Sequence, residues 1–197
     1  HTALRRQRQM CIRDRTGGSV DRLRSAREGG GVDRAIRPNM VIAAALRAAP
    51  LDRARRQRVV DLCRTHLLTP YGLRTLAPSD PDYQGRYEGT MPQRDRAYHQ
   101  GTVWPWLLGF MVEAHLRSSE HDPASRTTAR TWLQPLAAEL NSAGLGQLSE
   151  VYDGDLPHRP NGCPAQAWSV SEWRRAAAMV ERGPKWWMSP QAAATLS

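Results

Sequence analysis

Tyr98-His-Gln-Gly-Thr-Val-Trp-Pro-Trp106 runs straight into Leu107-Leu-Gly-Phe-Met-Val-Glu-Ala114, a polar and aromatic loop feeding an apolar helix. The spacing predicts a helix opened by Thr102, because Pro105 is tolerated in a first turn, where its missing N–H has no bond to lose. Val103, Trp104, Leu107, Leu108, Met111 and Ala114 then form one buried stripe at helical spacing. The same alternation of helix and decorated loop extends in both directions. Downstream, Asp122 and Pro123 start a helix that carries Trp132, Leu133, Leu136 and Leu140 on one side, with Pro135 inside it and Gly144 and Gly146 beyond its end. Leu145 to Tyr152 reads as a short extended piece and residues 153–164 as a loop. Pro164 is expected to begin the last helix, through Trp168, Val170, Trp173, Ala177 and Val180, with Gly183-Pro184 stopping it.

Upstream, Asn39 to Ala49 is an Ala-rich helix stopped by Pro50, and Asp52 caps a second helix reaching about Leu68. Val59, Leu62, Cys63, His66 and Leu67 share one face of it; Arg53, Arg55, Arg56 and Arg58 read as a solvated face. Thr69 to Gln100 is a long connection bearing Tyr71, Tyr83, Tyr87 and Tyr98, and a loop of that length is functional more readily than it is disordered when it holds so many rings. The fold class expected is all-α: five helices as hairpins stacked side by side, with the long loops gathered at one end.

The formal charge of +9 belongs to one part of the chain. Residues 1–60 hold 15 Arg and 5 acids, whereas residues 61–197 hold 13 basic and 14 acidic residues. A nucleic-acid-binding fold carries its basic patch on its folded face, so this distribution argues against one. Residues 1–36 contain no aromatic residue and two Gly runs, and read as a disordered or foreign Arg-rich segment. The folded unit is expected over residues 37–183, with 184–197 as a tail. The chain has no run of 18 apolar residues, and its start lacks the apolar core of a secretory signal. Cys11, Cys63 and Cys163 match neither a zinc site nor a disulfide framework, so a cytoplasmic setting is expected, without membrane, metal or cofactor. Phosphate-binding Gly loops and the nucleophile elbow of serine hydrolases are missing from the sequence.

Three loops share a composition: Thr69-Pro-Tyr-Gly-Leu-Arg-Thr75, Arg94 to Trp106, and Ser149-Glu-Val-Tyr-Asp-Gly-Asp155 together with Gly162-Cys-Pro-Ala-Gln-Ala-Trp168. Each sets a ring beside side chains that make directional hydrogen bonds. Sugars call for that mixture, since their C–H faces lie on rings while their hydroxyls need donors and acceptors. Cleaving a glycosidic bond further needs two carboxyl groups, one as acid and one as base or nucleophile. Trp and Tyr at helix starts also serve as core residues, and His99 alone would suit a structural role.

Taken in order, Arg37-Pro-Asn39, Thr69 to Leu76, Gly85-Arg-Tyr-Glu-Gly89, Tyr98 to Trp106, Leu148 to Gly154 and Gly162 to Ser169 strongly resemble the C-terminal glucosidase domain of glycogen debranching enzymes, the amylo-α-1,6-glucosidase family. The resemblance covers about residues 34–183. It implies the C-terminal portion of an (α/α)6 barrel, incomplete in this chain, and a parent enzyme that hydrolyses the α-1,6 branch linkage of glycogen or limit dextrin with inversion. On that resemblance Glu150 is the general base that activates water. Arg37, Asn39, Tyr71, Arg74, His99, Trp104, Asp153, Gln166 and Trp168 line sugar subsites. His99-Gln100 could instead brace the loop from behind, and Trp106 is expected to pack between helices. Glu88 and Asp95 read as loop-organising partners of Arg86, Arg94 or Arg96.

The chain departs from the family pattern in places. Met40 stands where the family has Gln, and Arg96 where it favours a small residue. The family's general acid, an Asp in a Thr-Trp-Met-Asp-Ala-like segment, has no counterpart here, nor do the preceding barrel helices. The partner expected for these residues is therefore the N-terminal part of the same barrel, and the chain by itself is expected to be inactive. Two other readings stay open: a related (α/α)6 glycosidase acting on another α-glucoside, such as an α-1,4-glucan or a trehalose-like substrate, and a non-catalytic glycan-binding remnant.

Overall fold

The computed structural model describes residues 25–26, 32–141 and 145–183. Most of the segment set apart as 1–36, and all of the tail 184–197, lie outside the described residues. A two-residue pairing, β1 (Ser25–Ala26) with β2 (Val32–Asp33), precedes the helices. Then come α1 (Asn39–Ala45), α2 (Arg53–His66), β3 (Leu68–Thr69), β4 (Gly72–Arg74), α3 (Met91–Ala97), β5 (Val103–Trp104), α4 (Leu107–Ser118), α5 (Pro123–Leu140), β6 (Val151–Tyr152), β7 (Pro160–Asn161) and α6 (Ala167–Arg182).

Five of the helices form a zigzag in two layers. Helix α4 packs against α1 and α6 within one layer and against α2 and α5 in the other, while α1–α2 and α5–α6 close the ends. Its centrality follows from composition: Leu107, Leu108, Met111, Val112, Ala114 and Leu116 are all buried, so α4 offers apolar surface to neighbours on several sides. Met40, Val41 and Ala44 of α1, Val59, Val60 and Cys63 of α2, Leu133 and Leu136 of α5, and Ala176, Met179 and Val180 of α6 complete one continuous core. Burial pushes the Cys63 thiol up to about 12, so this cysteine acts as a small apolar side chain.

Asp52 caps α2 by accepting from Arg55 N–H at 2.8 Å, and Asp122 caps α5 by accepting from Ser125 N–H at 2.7 Å, both as the sequence predicts. Gly183 ends α6 at a φ of 70°.

Several expectations need correction. The helix assigned to Thr102 begins at Leu107, because Trp104 precedes Pro105 and the proline ring pushes the preceding residue into extended backbone. Val103 and Trp104 instead join a five-stranded antiparallel sheet in the order β3-β4-β5-β6-β7, pairing Val103 with Arg74 and Tyr152, and Trp104 with Leu73. These short strands tie the decorated loops together at one end of the helices. The long connection also contains α3, signalled by a capping box in which the Gln93 side chain accepts from Thr90 N–H at 2.7 Å. Helix α1 stops at Ala45, where Leu46 turns extended, and α6 starts at Ala167 rather than Pro164. Arg56, placed on the solvated face, is buried instead, with Nη1 reaching the Leu46 carbonyl.

Candidate active site

The N-terminal ends of α1, α4 and α6 meet at one cleft of about 300 Å³. Arg37, Pro38 and Asn39 come from the start of α1; Trp104, Trp106 and Leu107 from the start of α4; Trp168 from the start of α6; and Ile42, Thr75 and His99 fill the gaps. Three helices from one layer thus point the same way and deliver their first residues to a common mouth.

The cleft wall is a chain of rings. His99 stacks on Trp104, with centroids 5.8 Å apart and planes 6° from parallel. Trp104 meets Trp168 edge to face at 5.8 Å, and Trp168 in turn lies 5.7 Å from Trp106. Trp104 Nε1 donates to the Tyr98 carbonyl at 3.1 Å, which fixes the indole orientation. Trp168 remains 46% exposed, leaving a large apolar ring open to the cleft. Arg37 spans the floor: Nη1 donates to the His99 carbonyl at 2.7 Å and the Thr75 carbonyl at 3.2 Å, and Nη2 to Gln100 Oε1 at 2.6 Å. Arg37 and Gln100 therefore hold the loop that carries His99.

Glu150 stands one side chain behind this wall. Its Oε1 accepts from the Tyr98 hydroxyl at 2.5 Å, and the Tyr98 ring packs edge to face on Trp104 at 4.7 Å. Its Oε2 accepts from Cys163 N–H at 3.0 Å, while Glu150 N–H donates to the Cys163 carbonyl at 2.8 Å. The loop before α6 is thereby stapled to the loop before β6. Gly162 makes this approach possible: its φ is +70°, and a Cβ there would lie 2.5 Å from Glu150 Oε2. Burial, reinforced by the hydrogen bond to Glu150 and its charge, raises the Tyr98 phenol well above its usual range, so its proton stays available to the carboxylate.

Of the residues assigned to sugar subsites, Arg37, Asn39, His99, Trp104 and Trp168 line the cleft. Tyr71, Arg74, Asp153 and Gln166 stand elsewhere. Tyr71 lies flat on Tyr152, with centroids 4.6 Å apart and planes 3° from parallel. Arg74 Nε donates to the Gly154 carbonyl at 2.9 Å. Gln166 is the half-buried N-cap of α6, and its N–H donates to the Leu148 carbonyl at 2.8 Å. Asp153 is 2% exposed; its Oδ1 accepts from Tyr87 N–H at 2.9 Å and Asn161 Nδ2 at 3.0 Å, and Oδ2 faces Arg86 at 3.6 Å. The carboxylate that organises Arg86 is thus Asp153, whereas Glu88 and Asp95, read from the sequence as loop partners, are exposed.

Sequence reasoning missed two features. Trp106, expected between helices, contributes to the cleft as well as packing on Phe110, and the Trp-Pro-Trp spacing that flanks the turn was the available signal. Tyr98 gave no signal that set it apart from the other loop tyrosines. Among the described residues no group of three or more His, Cys, Asp or Glu is placed to hold a metal ion. No helix among them is long and apolar enough to cross a membrane.

Comparison with known proteins supplies the frame for this geometry. Neutral trehalase from Saccharomyces cerevisiae shares the fold at a TM-score of 0.56 and 14% identity, over 99% of this chain and 32% of that one. The two layers of helices are part of an all-α (α/α)6 toroid. Glycogen debranching enzyme from Saccharomyces cerevisiae is 29% identical over 159 residues, which covers 70% of this chain. The chain spans about 10% of the length of that relative. Residues 13–175 match the amylo-alpha-1,6-glucosidase family, a match that begins within the Arg-rich first segment and runs into α6.

Proposed function

Because the chain belongs to the amylo-alpha-1,6-glucosidase family, we propose that it supplies the base side of a glycosidase active site that hydrolyses α-1,6-glucosidic branch points of glycogen or limit dextrin. The observation that carries this reading is the juxtaposition of Glu150, anchored through Tyr98 and Cys163, with an open cleft of tryptophan rings. The rings offer apolar faces to glucose residues, and Arg37, Asn39 and His99 frame them with polar groups.

Glu150 acts as general base. It takes one proton from a water as the water oxygen attacks the anomeric carbon and the glycosidic bond breaks. The electron pair of that bond leaves with the departing sugar oxygen, which needs a proton from a second carboxyl group. Attack from the face opposite the leaving group inverts the anomeric carbon, and a pair working in this way stands about 6.5–9.5 Å apart. The acid is proposed to come from the N-terminal part of the same barrel. Each carboxylate oxygen of Glu150 accepts one hydrogen bond here and keeps a lone pair for water. Trp104, Trp106 and Trp168 hold the glucan, while Tyr71, Arg74, Asp153 and Gln166 build the loops behind them.

The complete protein, given branched limit dextrin, a linear α-1,4-glucan and trehalose in parallel, should release glucose from the first alone. Proton NMR in the first minutes should show the β-anomer. Preferential cleavage of trehalose or the linear glucan would reassign the substrate. Initial α-glucose would exclude an inverting base, and binding without any cleavage would make the cleft a glycan-binding site.

A further inference from the structure

We infer that Tyr98 is a positioning residue for Glu150, its hydroxyl fixing the carboxylate in one place behind the cleft wall through the bond to Oε1. The inference rests on Glu150 serving as the base. A carboxylate at the end of a two-methylene side chain has several rotamers open to it, and a base that must meet one water in one place loses rate in every other. Here both ends of the carboxylate are held: Cys163 N–H donates to Oε2 from the backbone, and Tyr98 donates to Oε1. Only the second is a side-chain bond, and it comes from the loop whose rings build the cleft wall.

The Tyr98 ring is itself fixed from three sides. Trp104 meets it edge to face at 4.7 Å, His99 at 5.0 Å, and Tyr87 lies tilted against it at 5.7 Å. Its backbone carbonyl also receives the Trp104 indole N–H. One residue therefore sets both the orientation of a cleft ring and the position of the carboxylate. The hydroxyl meets the carboxylate and not the cleft, so its effect is to fix where Glu150 meets water and falls on the chemical step rather than on glucan binding.

Tyr98→Phe isolates the hydroxyl, because the ring and its three contacts remain. In the complete protein acting on limit dextrin, release of the carboxylate from this tether predicts a fall in kcat of about 10- to 100-fold, the scale of a misplaced catalytic group. KM should stay within about twofold, since the cleft rings keep their places. Glu150→Gln and the double variant Tyr98→Phe with Glu150→Gln are measured alongside. The double variant should be no slower than Glu150→Gln alone, because the hydroxyl acts only through the carboxylate. An unchanged kcat in Tyr98→Phe, with Glu150→Gln inactive, would overturn the role of Tyr98 and leave Glu150 as the base. A raised KM with unchanged kcat would make Tyr98 a cleft-wall residue only, and would equally overturn it. Full activity in Glu150→Gln would remove the base itself, and with it the premise of the inference.

Discussion

Replacing Asp153 separates the scaffold of this site from its sugar-binding surface. The carboxylate is 2% exposed and receives Tyr87 N–H and Asn161 Nδ2, with Arg86 beside it. In Asp153→Ala the part-buried Tyr87 amide loses its acceptor, and a donor left unsatisfied away from water costs about 1–3 kcal/mol. The half-buried Asn161 amide recovers part of its loss from water, and Arg86, whose side chain is 38% exposed, recovers more. The sum is a destabilisation of about 3 kcal/mol. With a urea dependence of about 2 kcal/mol per molar, the unfolding midpoint should fall by about 1.5 M, read by tryptophan fluorescence on the complete protein. Asp153→Asn, which keeps one oxygen as an acceptor, should lose less than half as much. A wild-type midpoint in Asp153→Ala combined with weakened glucan binding would refute this reasoning and place Asp153 in contact with sugar.

Two further outcomes are expected. Trp168→Ala should weaken limit-dextrin binding by about 30-fold, the effect of removing a central aromatic anchor, while leaving the unfolding midpoint nearly unchanged because the ring is 46% exposed; calorimetric titration showing wild-type affinity would remove Trp168 from the subsites. The second outcome concerns pH. Burial lowers both His115 and His121 from their ordinary 6.5, with Arg117 and Arg126 adding to the effect at His121. Their contribution to stability is complete above 6.5 and is lost as pH falls below it, because the unfolded chain takes up protons that the folded form resists. The urea midpoint should therefore drop between about pH 7.5 and about pH 5.5, and drop less in His115→Gln; equal declines in the two proteins would contradict this.

The helices were legible because their signals are local. Asp52 and Asp122 cap where the sequence puts them, and the stripe of Leu107, Leu108 and Met111 follows the helical period. The sheet was not legible, because its strands are two or three residues long and no period can declare itself over so short a span. Val103 pairs with Arg74 and Tyr152, partners set by tertiary contacts and separated by long stretches of chain. The site was legible in composition more than in geometry. Arg37, Asn39, His99, Trp104 and Trp168 do converge on one cleft, but Tyr71 and Asp153 belong to the same motifs and face other partners, because a loop motif records both the residues that touch the cleft and those that hold its shape. Arg56 shows the same limit on a helix: a run of arginines reads as solvated, while one of them is drawn inward by the Leu46 carbonyl at the end of α1.

The role of Glu150 is tested most directly by Glu150→Gln in the complete protein, with kcat and glucan affinity measured on the same preparation. The amide keeps the shape of the side chain and can still receive the Cys163 N–H, but it cannot take a proton from water. General-base terms predict a fall in kcat of at least about 100-fold with dissociation constants for limit dextrin unchanged. Retained turnover with lost affinity would contradict the account and make Glu150 a binding residue at the edge of the tryptophan cleft.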